Sequence, residues 1–214
     1  KIGSQTWFVE NLKTTHFLNG DLIPTTSPVN LDITAEVSPV YQWPVDGTEA
    51  TVEDYGRLYT WYAVTDPRGV CPAGWHVSSY AEWEEMVAYL GGNSVAGTKL
   101  KEAGDLHWQS GNIATNSSGF TMLPGGFWAE NGTFYWLHHS GYHWTTTEES
   151  ATLAYRPATC YDWEWIDMGA SGKSAGLSVR CVKNNEVDKT YDGTVKLSGL
   201  TMATGAGSGK VMTS

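Results

Sequence analysis

The chain reads as an α+β protein, and three observations predict that class. Ser79 and Glu82 open the strongest helix signal in the chain, covering Tyr80–Leu90. A second, shorter helical stretch follows at Thr98–Ala103. From Phe120 onward, short β-prone runs alternate with glycine, asparagine and proline turns, the pattern of antiparallel strands appended to early helices.

Taken in order, Gln5–Val9 is a short β-prone run and the expected first strand. Asn19-Gly20-Asp21 is a turn signal. Between Ile23 and Gly47 stand Pro24, Pro28, Pro39 and Pro44 without helical period, which predicts an irregular covering loop. Arg57–Val64 is apolar on both alternating sides and predicts a strand buried on both faces.

Ser79 then caps the main helix, its hydroxyl taking a first-turn amide while Glu82 reaches back. Trp83, Met86, Val87 and Leu90 fall at i, i+3, i+4 and i+7, one apolar stripe facing a core. Gly91-Gly92 stops it, and Gly104 stops the second helix. The polar stretch from His107-Trp108 to Gly119 predicts a loop. Phe120–Leu123 should be a strand entering a Pro124-Gly125-Gly126 turn. Phe127–Trp136 reads as a hairpin across Asn131-Gly132. Tyr142–Thr147, Leu153–Thr159, Tyr161–Met168 and Leu177–Val182 complete the strand candidates.

Composition narrows the function. The 214 residues carry a formal charge of −10, 11 Trp, 11 Tyr and only 17% charged residues. That acidity disfavours nucleic acid and anionic membranes as partners, and no apolar run is long enough to span a bilayer. After Lys183 the character changes. Asn184–Ser214 is rich in Gly, Thr and Ser, with one expected strand at Thr194–Ser198. The expected division is therefore a domain at 1–183 and an extended tail at 184–214, which leads to a further module or pairs with neighbouring copies.

The segments GRLYTWYAV, CPAGWHV, AEWEEMVAYLGG, GTKLKEAG, NSSGFTMLPGG and GLSVRCVK, in that order, resemble the landmarks of the Fibrobacter succinogenes major paralogous domain. IGSQTWFVENLKTTHFLNGDLIP resembles the family's opening, so the resemblance covers 1–183. Lys1 stands inside that opening with no signal sequence before it, which reads as a mature or trimmed chain. Ser78 replaces the family's usual proline, and His143-Trp144-Thr145-Thr146 stands for an aromatic-Trp-Ser-Ser motif. The resemblance implies a C-type-lectin-like fold, two helices packed on a twisted antiparallel sheet with long hairpin loops. It also implies a surface protein of Bacteroidetes-type bacteria, and an N-terminal segment paired with the last strand. Cys71 and Cys181 lie in its landmarks and Cys160 does not, so the resemblance favours a Cys71–Cys181 disulfide; three buried free thiols are the alternative.

No nucleophile elbow, phosphate loop or zinc-protease motif is present, and the family supplies no catalytic motif, so no enzymatic activity is expected. Casting Cys160 and Cys181 as an oxidase pair would rest on fold analogy alone. His138, His139 and His143 near Glu148-Glu149 lie among strand and loop signals, where helical zinc spacing fails. Asp162, Glu164 and Asp167 allow calcium, but a solvated acidic strand face is the simpler reading, with Trp163 and Trp165 opposite. No cofactor is expected.

Recognition remains. Trp7, Trp61, Trp75, Trp83, Trp108 and Trp144 sit in the family landmarks and read as core. Trp43, Trp128, Trp136, Trp163 and Trp165, with Tyr135, Tyr155 and Tyr161, lie outside them. From Asp105 to Ala175 seven acidic residues face two basic ones, which disfavours anionic ligands. The expected function is extracellular, non-catalytic adhesion to a glycan or protein on a cell surface, centred on Tyr161, Trp163 and Trp165 with Trp128 and Trp136 nearby. The alternative is a decorating or shaft subunit of a fibre, whose aromatics pack against neighbouring copies.

Overall fold

A computed structural model describes residues 1–184 together with Asp188–Lys189, Val195–Leu197 and Leu200–Met202. The chain divides into two units, Lys1–Lys183 and Asn184–Ser214.

The first unit opens without a regular strand. β1 (Gln42–Pro44) precedes α1 (Val52–Tyr55), β2 (Arg57–Tyr59) and α2 (Trp61–Val64). β3 (Trp75–Val77), α3 (Tyr80–Tyr89) and α4 (Asn93–Leu100) follow. β4 (Gly125–Trp128), β5 (Phe134–Leu137) and β6 (Ser140–Tyr142) come next, then β7 (Leu153–Tyr155), β8 (Ala158–Cys160), β9 (Ala170–Gly172) and β10 (Cys181–Lys183). The sheets are small and antiparallel: β1 with β2, β3 with β10, β4 with β5, β6 with β8, and β7 with β9. In the second unit β11 (Asp188–Lys189), β12 (Val195–Leu197) and β13 (Leu200–Met202) form an antiparallel meander. β12 lies within the strand expected at Thr194–Ser198; Thr194, Ser198 and the stretch after Met202 lie outside the described residues.

The α+β class holds, with a mosaic of two-stranded ladders in place of one twisted sheet carrying two helices. The main helix forms where its cap predicts. Ser79 Oγ accepts from the Glu82 amide, Glu82 reaches back to the Ser79 amide, and Trp83, Met86 and Val87 are buried. The N-terminal segment meets the last strand through a Trp7–Val182 bridge and the Phe8 amide donating to the Cys181 carbonyl at 3.0 Å.

Other expectations shift for local reasons. Arg57–Val64 is not one strand, because Thr60 caps a helical turn by accepting from the Ala63 amide. The second helix is Asn93–Leu100, starting after Gly92 at φ 95°. Gly97 lets it lie directly on the chain beyond, where a Cβ would stand 2.2 Å from the Trp165 carbonyl oxygen. It ends where Lys101 becomes extended. Phe120–Leu123 contributes only a Met122–Lys101 bridge, and Gly125-Gly126 begins β4 where a turn was expected. Tyr161–Met168 is not a strand. Lys101 Nζ donates to the Cys160, Tyr161 and Trp163 carbonyls at 2.7, 2.7 and 2.9 Å, and those carbonyls turn the chain around it.

Three apolar clusters hold this together. One gathers Tyr59, Trp144, Leu177 and Val179 near the Cys71–Cys181 disulfide. The second places Trp7, Trp83, Phe120 and Met122 under α3; burial of the Phe120 and Met122 side chains stabilises the fold by about 1.5–3 kcal/mol each. The third packs Trp43, Leu58 and Trp128 behind the β4–β5 hairpin. That last cluster backs the β4–β5 hairpin and the surface beside it.

Candidate functional site

The β4–β5 hairpin closes across Asn131-Gly132, a strong two-residue turn signal between aromatic-rich strands. The Ala129 amide donates to the Thr133 carbonyl at 2.8 Å, and the Gly132 amide to the Ala129 carbonyl at 3.0 Å. Gly132 takes φ 76°, so the turn is three residues long with glycine in the left-handed position. Trp128 pairs with Phe134 and Phe127 with Tyr135. Between those pairs and Gly125–Leu137 the ladder is interrupted at Gly126 and Trp136, both left-handed.

The interruption reorders the side chains. Along a regular strand Tyr135 and Trp136 would point to opposite faces. With Trp136 at φ 67° both rings meet Phe127, Tyr135 stacked at 5.4 Å and Trp136 edge-on at 5.8 Å. Trp136 also stacks on Tyr142 at 6.2 Å and 27°. A large side chain at positive φ carries backbone strain, and such strain concentrates at sites of binding. Trp136 stays 52% exposed despite these contacts, so much of the indole is open to a ligand.

Beside this aromatic wall lies a cavity of about 400 Å³, a volume in the range of small-ligand pockets. Phe127, Trp136 and Tyr142 line it with rings; Glu130, Arg156 and Ser171 bring polar atoms to it. Arg156 is fixed by its neighbours. Its Nη1 pairs with Asp167, its Nε donates to Ser171 Oγ at 3.2 Å, and its guanidinium lies 5.4 Å from the Tyr142 ring centre. Nη2 makes no hydrogen bond among the described residues. Burial pushes the Tyr142 phenol up to about 12, so it is a neutral wall. Glu130 sits in the hairpin turn, its backbone carbonyl accepting from the Ile33 amide at 2.8 Å. Its carboxylate has no partner among the described residues. The arrangement offers aromatic faces, a spare guanidinium donor and a spare carboxylate acceptor in one concave space. It contains no activated nucleophile.

The residues expected to bind divide into three groups. Trp136 lines the cavity. Trp128 does not belong with it: the ring is 5% exposed, and its Nε1 donates to the Pro44 carbonyl at 3.3 Å in the core behind the hairpin. Trp163 and Trp165 stack on each other at 4.5 Å and 18° over α4, and Trp165 is exposed; as the chain is turned there, they do not form the outward face of a strand. Tyr161 joins Trp136 through His139, with ring separations of 5.1 and 5.7 Å. Phe127, Tyr142, Arg156 and Glu130 escaped notice because each lies on a different element. The signal within reach was the Gly125-Gly126 pair entering a hairpin whose return strand carries Tyr135 and Trp136 in succession.

Other candidate groups are placed elsewhere. Cys181 is bonded to Cys71, and Cys160 is buried against Ser140 Oγ at 3.1 Å, so the two cannot act as a redox pair. His143 is buried with Nε2 on Asn11 Oδ1, and His139 Nδ1 meets Ser140 Oγ. Asp162 and Glu164 are exposed while Asp167 serves Arg156. Among the described residues no three His, Cys, Asp or Glu side chains gather as a metal site.

Fold and site together define a disulfide-linked α+β domain with an aromatic-walled cavity on a strained hairpin. Residues 1–183 match the Fibrobacter succinogenes major domain, and the chain belongs to that family. No curated protein and no solved structure matches it.

Proposed function

We propose that this protein is a non-catalytic extracellular recognition module that binds a neutral glycan in the cavity against Trp136. One observation carries the reading: a half-exposed tryptophan held by a left-handed backbone beside a concave space with unpaired polar groups. Indole faces stack on the apolar faces of pyranose rings, while ring hydroxyls need both donors and acceptors nearby. Arg156 Nη2 supplies donors and the Glu130 carboxylate accepts. The net charge of −10 works against anionic ligands, and the guanidinium beside Tyr142 works against a cationic one.

Extracellular placement is supported by the disulfide. No helix among the described residues is long and apolar enough to cross a membrane. The C-type-lectin-like relationship remains part of this proposal and fits a surface role.

Binding to arrayed neutral glycans by the wild type, Trp136→Ala and Trp165→Ala tests the reading. Loss of Trp136 should weaken binding about 30-fold or more, the size of an exposed anchor worth about 2 kcal/mol. Trp165→Ala, outside the cavity, should change it little. Equal binding by the wild type and Trp136→Ala would overturn the proposal. Ordered oligomers that bind no glycan would favour the fibre-subunit alternative.

A further inference from the structure

The cavity against Trp136 has a neighbour. A second, of about 360 Å³, opens among Thr34, Glu36, Tyr62, Leu153 and Lys173. Thr34, Glu130 and Gly172 line both cavities, so the two meet at a shared boundary. At that boundary Gly172 carries no side chain, and a Cβ there would stand 3.2 Å from Glu130 Oε2. Its φ is ordinary for any residue. The absence of a side chain at Gly172 leaves the Glu130 carboxylate bordering both cavities.

The second cavity also sets an aromatic ring beside polar groups. Tyr62 gives an aromatic surface, edge-on to Trp61 at 5.9 Å. The cation of Lys173 is already committed: its Nζ pairs with Glu148, donates to the Ala151 carbonyl at 3.0 Å, and lies 4.5 Å from the Trp61 ring centre. The lining therefore offers no free positive charge to an anion. Thr152 and Ser174 add hydroxyls. An aromatic wall thus stands in each cavity, with an unpartnered carboxylate between them.

Resting on the glycan reading above, we infer that the two cavities act as one cleft for a linear neutral oligosaccharide. One sugar unit stacks in the Trp136 cavity and another packs on the Tyr62 side. The Glu130 carboxylate accepts hydroxyl hydrogen bonds at the crossing. A single sugar fills one cavity only, so the cleft favours internal stretches of a glycan chain over an isolated terminal unit. The specificity is for length and linearity, which the Trp136 cavity alone does not impose.

Titration calorimetry with gluco-, manno- and xylo-oligosaccharides of one to six units tests this in the wild type, Tyr62→Ala, Gly172→Val and Trp136→Ala. In whichever series binds, affinity should rise about tenfold or more from the shortest bound sugar to the longest, the step expected when a second site adds about 1.4 kcal/mol. Tyr62→Ala should flatten that rise while leaving the shortest bound sugar unaffected. Gly172→Val should do the same by raising the boundary, and a thermal melt shows whether each variant keeps its fold. Trp136→Ala should weaken every length. Equal wild-type affinity for all lengths, or an unflattened rise in a folded Tyr62→Ala, would overturn the cleft and leave the Trp136 site standing. Absence of sugar binding by the wild type would overturn both.

Discussion

Gly126 and Trp136 fill the unpaired step of the β4–β5 ladder, between Gly125–Leu137 and Phe127–Tyr135, both with left-handed backbones at φ 61° and 67°. The close approach needs the glycine: a Cβ on Gly126 would lie 2.1 Å from the Tyr135 carbonyl oxygen. Glycine in a strand normally costs about 0.5–1 kcal/mol relative to alanine. At Trp136 the sign should invert, because only glycine occupies φ near 67° without strain. Trp136→Gly should be more stable than Trp136→Ala by about 1 kcal/mol, measured by denaturant unfolding. The reverse order would mean that the hairpin relaxes to regular geometry once the indole is gone.

The same geometry makes Gly126→Ala damaging. Its Cβ meets backbone, which cannot swing aside as a flexible side chain would. A loss of about 2 kcal/mol or more is expected, together with weaker glycan binding as the Trp136 ring shifts. A variant with wild-type melting and binding would show that the hairpin backbone is compliant.

Lys101 governs the Trp163–Trp165 segment. It is fully buried, and its ammonium satisfies three carbonyls within 2.9 Å, although burial pulls its pKa down to about 8. Lys101→Met keeps the aliphatic stem and strands those carbonyls, at about 1–3 kcal/mol for each left unsatisfied. The variant should melt well below the wild type and lose the near-ultraviolet circular dichroism of the stacked indoles. Glycan binding at Trp136 should survive at temperatures where the variant is folded. Unchanged melting would mean that water replaces the ammonium.

What was legible in the sequence follows from how local each signal is. The α3 helix, with Ser79, Glu82 and its apolar stripe, is written within one short window and forms as read. The Asn131-Gly132 hairpin is equally local. Arg57–Val64 misled because its pattern suits a strand, while one threonine hydroxyl diverts Trp61–Val64 into a helical turn. Tyr161–Met168 misled for a different reason. Its course is set by Lys101, 59 or more residues earlier in the chain, a contact that no periodicity records. The site was half legible. Trp136 stood out as an aromatic away from the family landmarks, but its exposure depends on a left-handed backbone. Trp128, its close neighbour in sequence, obeys regular alternation and is buried.

Alkaline pH should expose the buried phenols. Burial pushes Tyr55 and Tyr142 up to about 12 and Tyr59 higher still. In the unfolded chain they ionise near the ordinary 10.0. Below that value both states hold the protons and these groups leave stability unchanged with pH. Above it the unfolded chain releases protons that the folded chain retains, so stability falls as pH rises from 10 toward 12. Tyrosinate absorbance should therefore show a lagging fraction that ionises together with loss of helical circular dichroism. A smooth titration of every phenol ahead of unfolding would contradict the burial of these three.

The Cys71–Cys181 bridge closes a sequence separation of 110 residues and anchors β10, whose Cys181 pairs with Val77 in β3. Both half-cystines are buried, Cys181 completely, and the same strand neighbours the Trp7 segment through Val182. In the chain-entropy view a loop of this length stabilises the folded state by up to about 5 kcal/mol, less any strain in the native bridge. The double variant Cys71→Ala, Cys181→Ala should thus melt far below the wild type, with β10 and the N-terminal segment released first. Hydrogen exchange should show that release as lost protection at the Phe8 and Lys183 amides, which now donate to the Cys181 and Thr6 carbonyls. Thiol counting gives an independent check: unfolded but unreduced protein should react with one equivalent of alkylating agent, at Cys160, and none should react while the fold is intact because that thiol is buried. Three reactive thiols in the unreduced, unfolded chain would refute the bridge and remove the main support for placing this protein outside the cell.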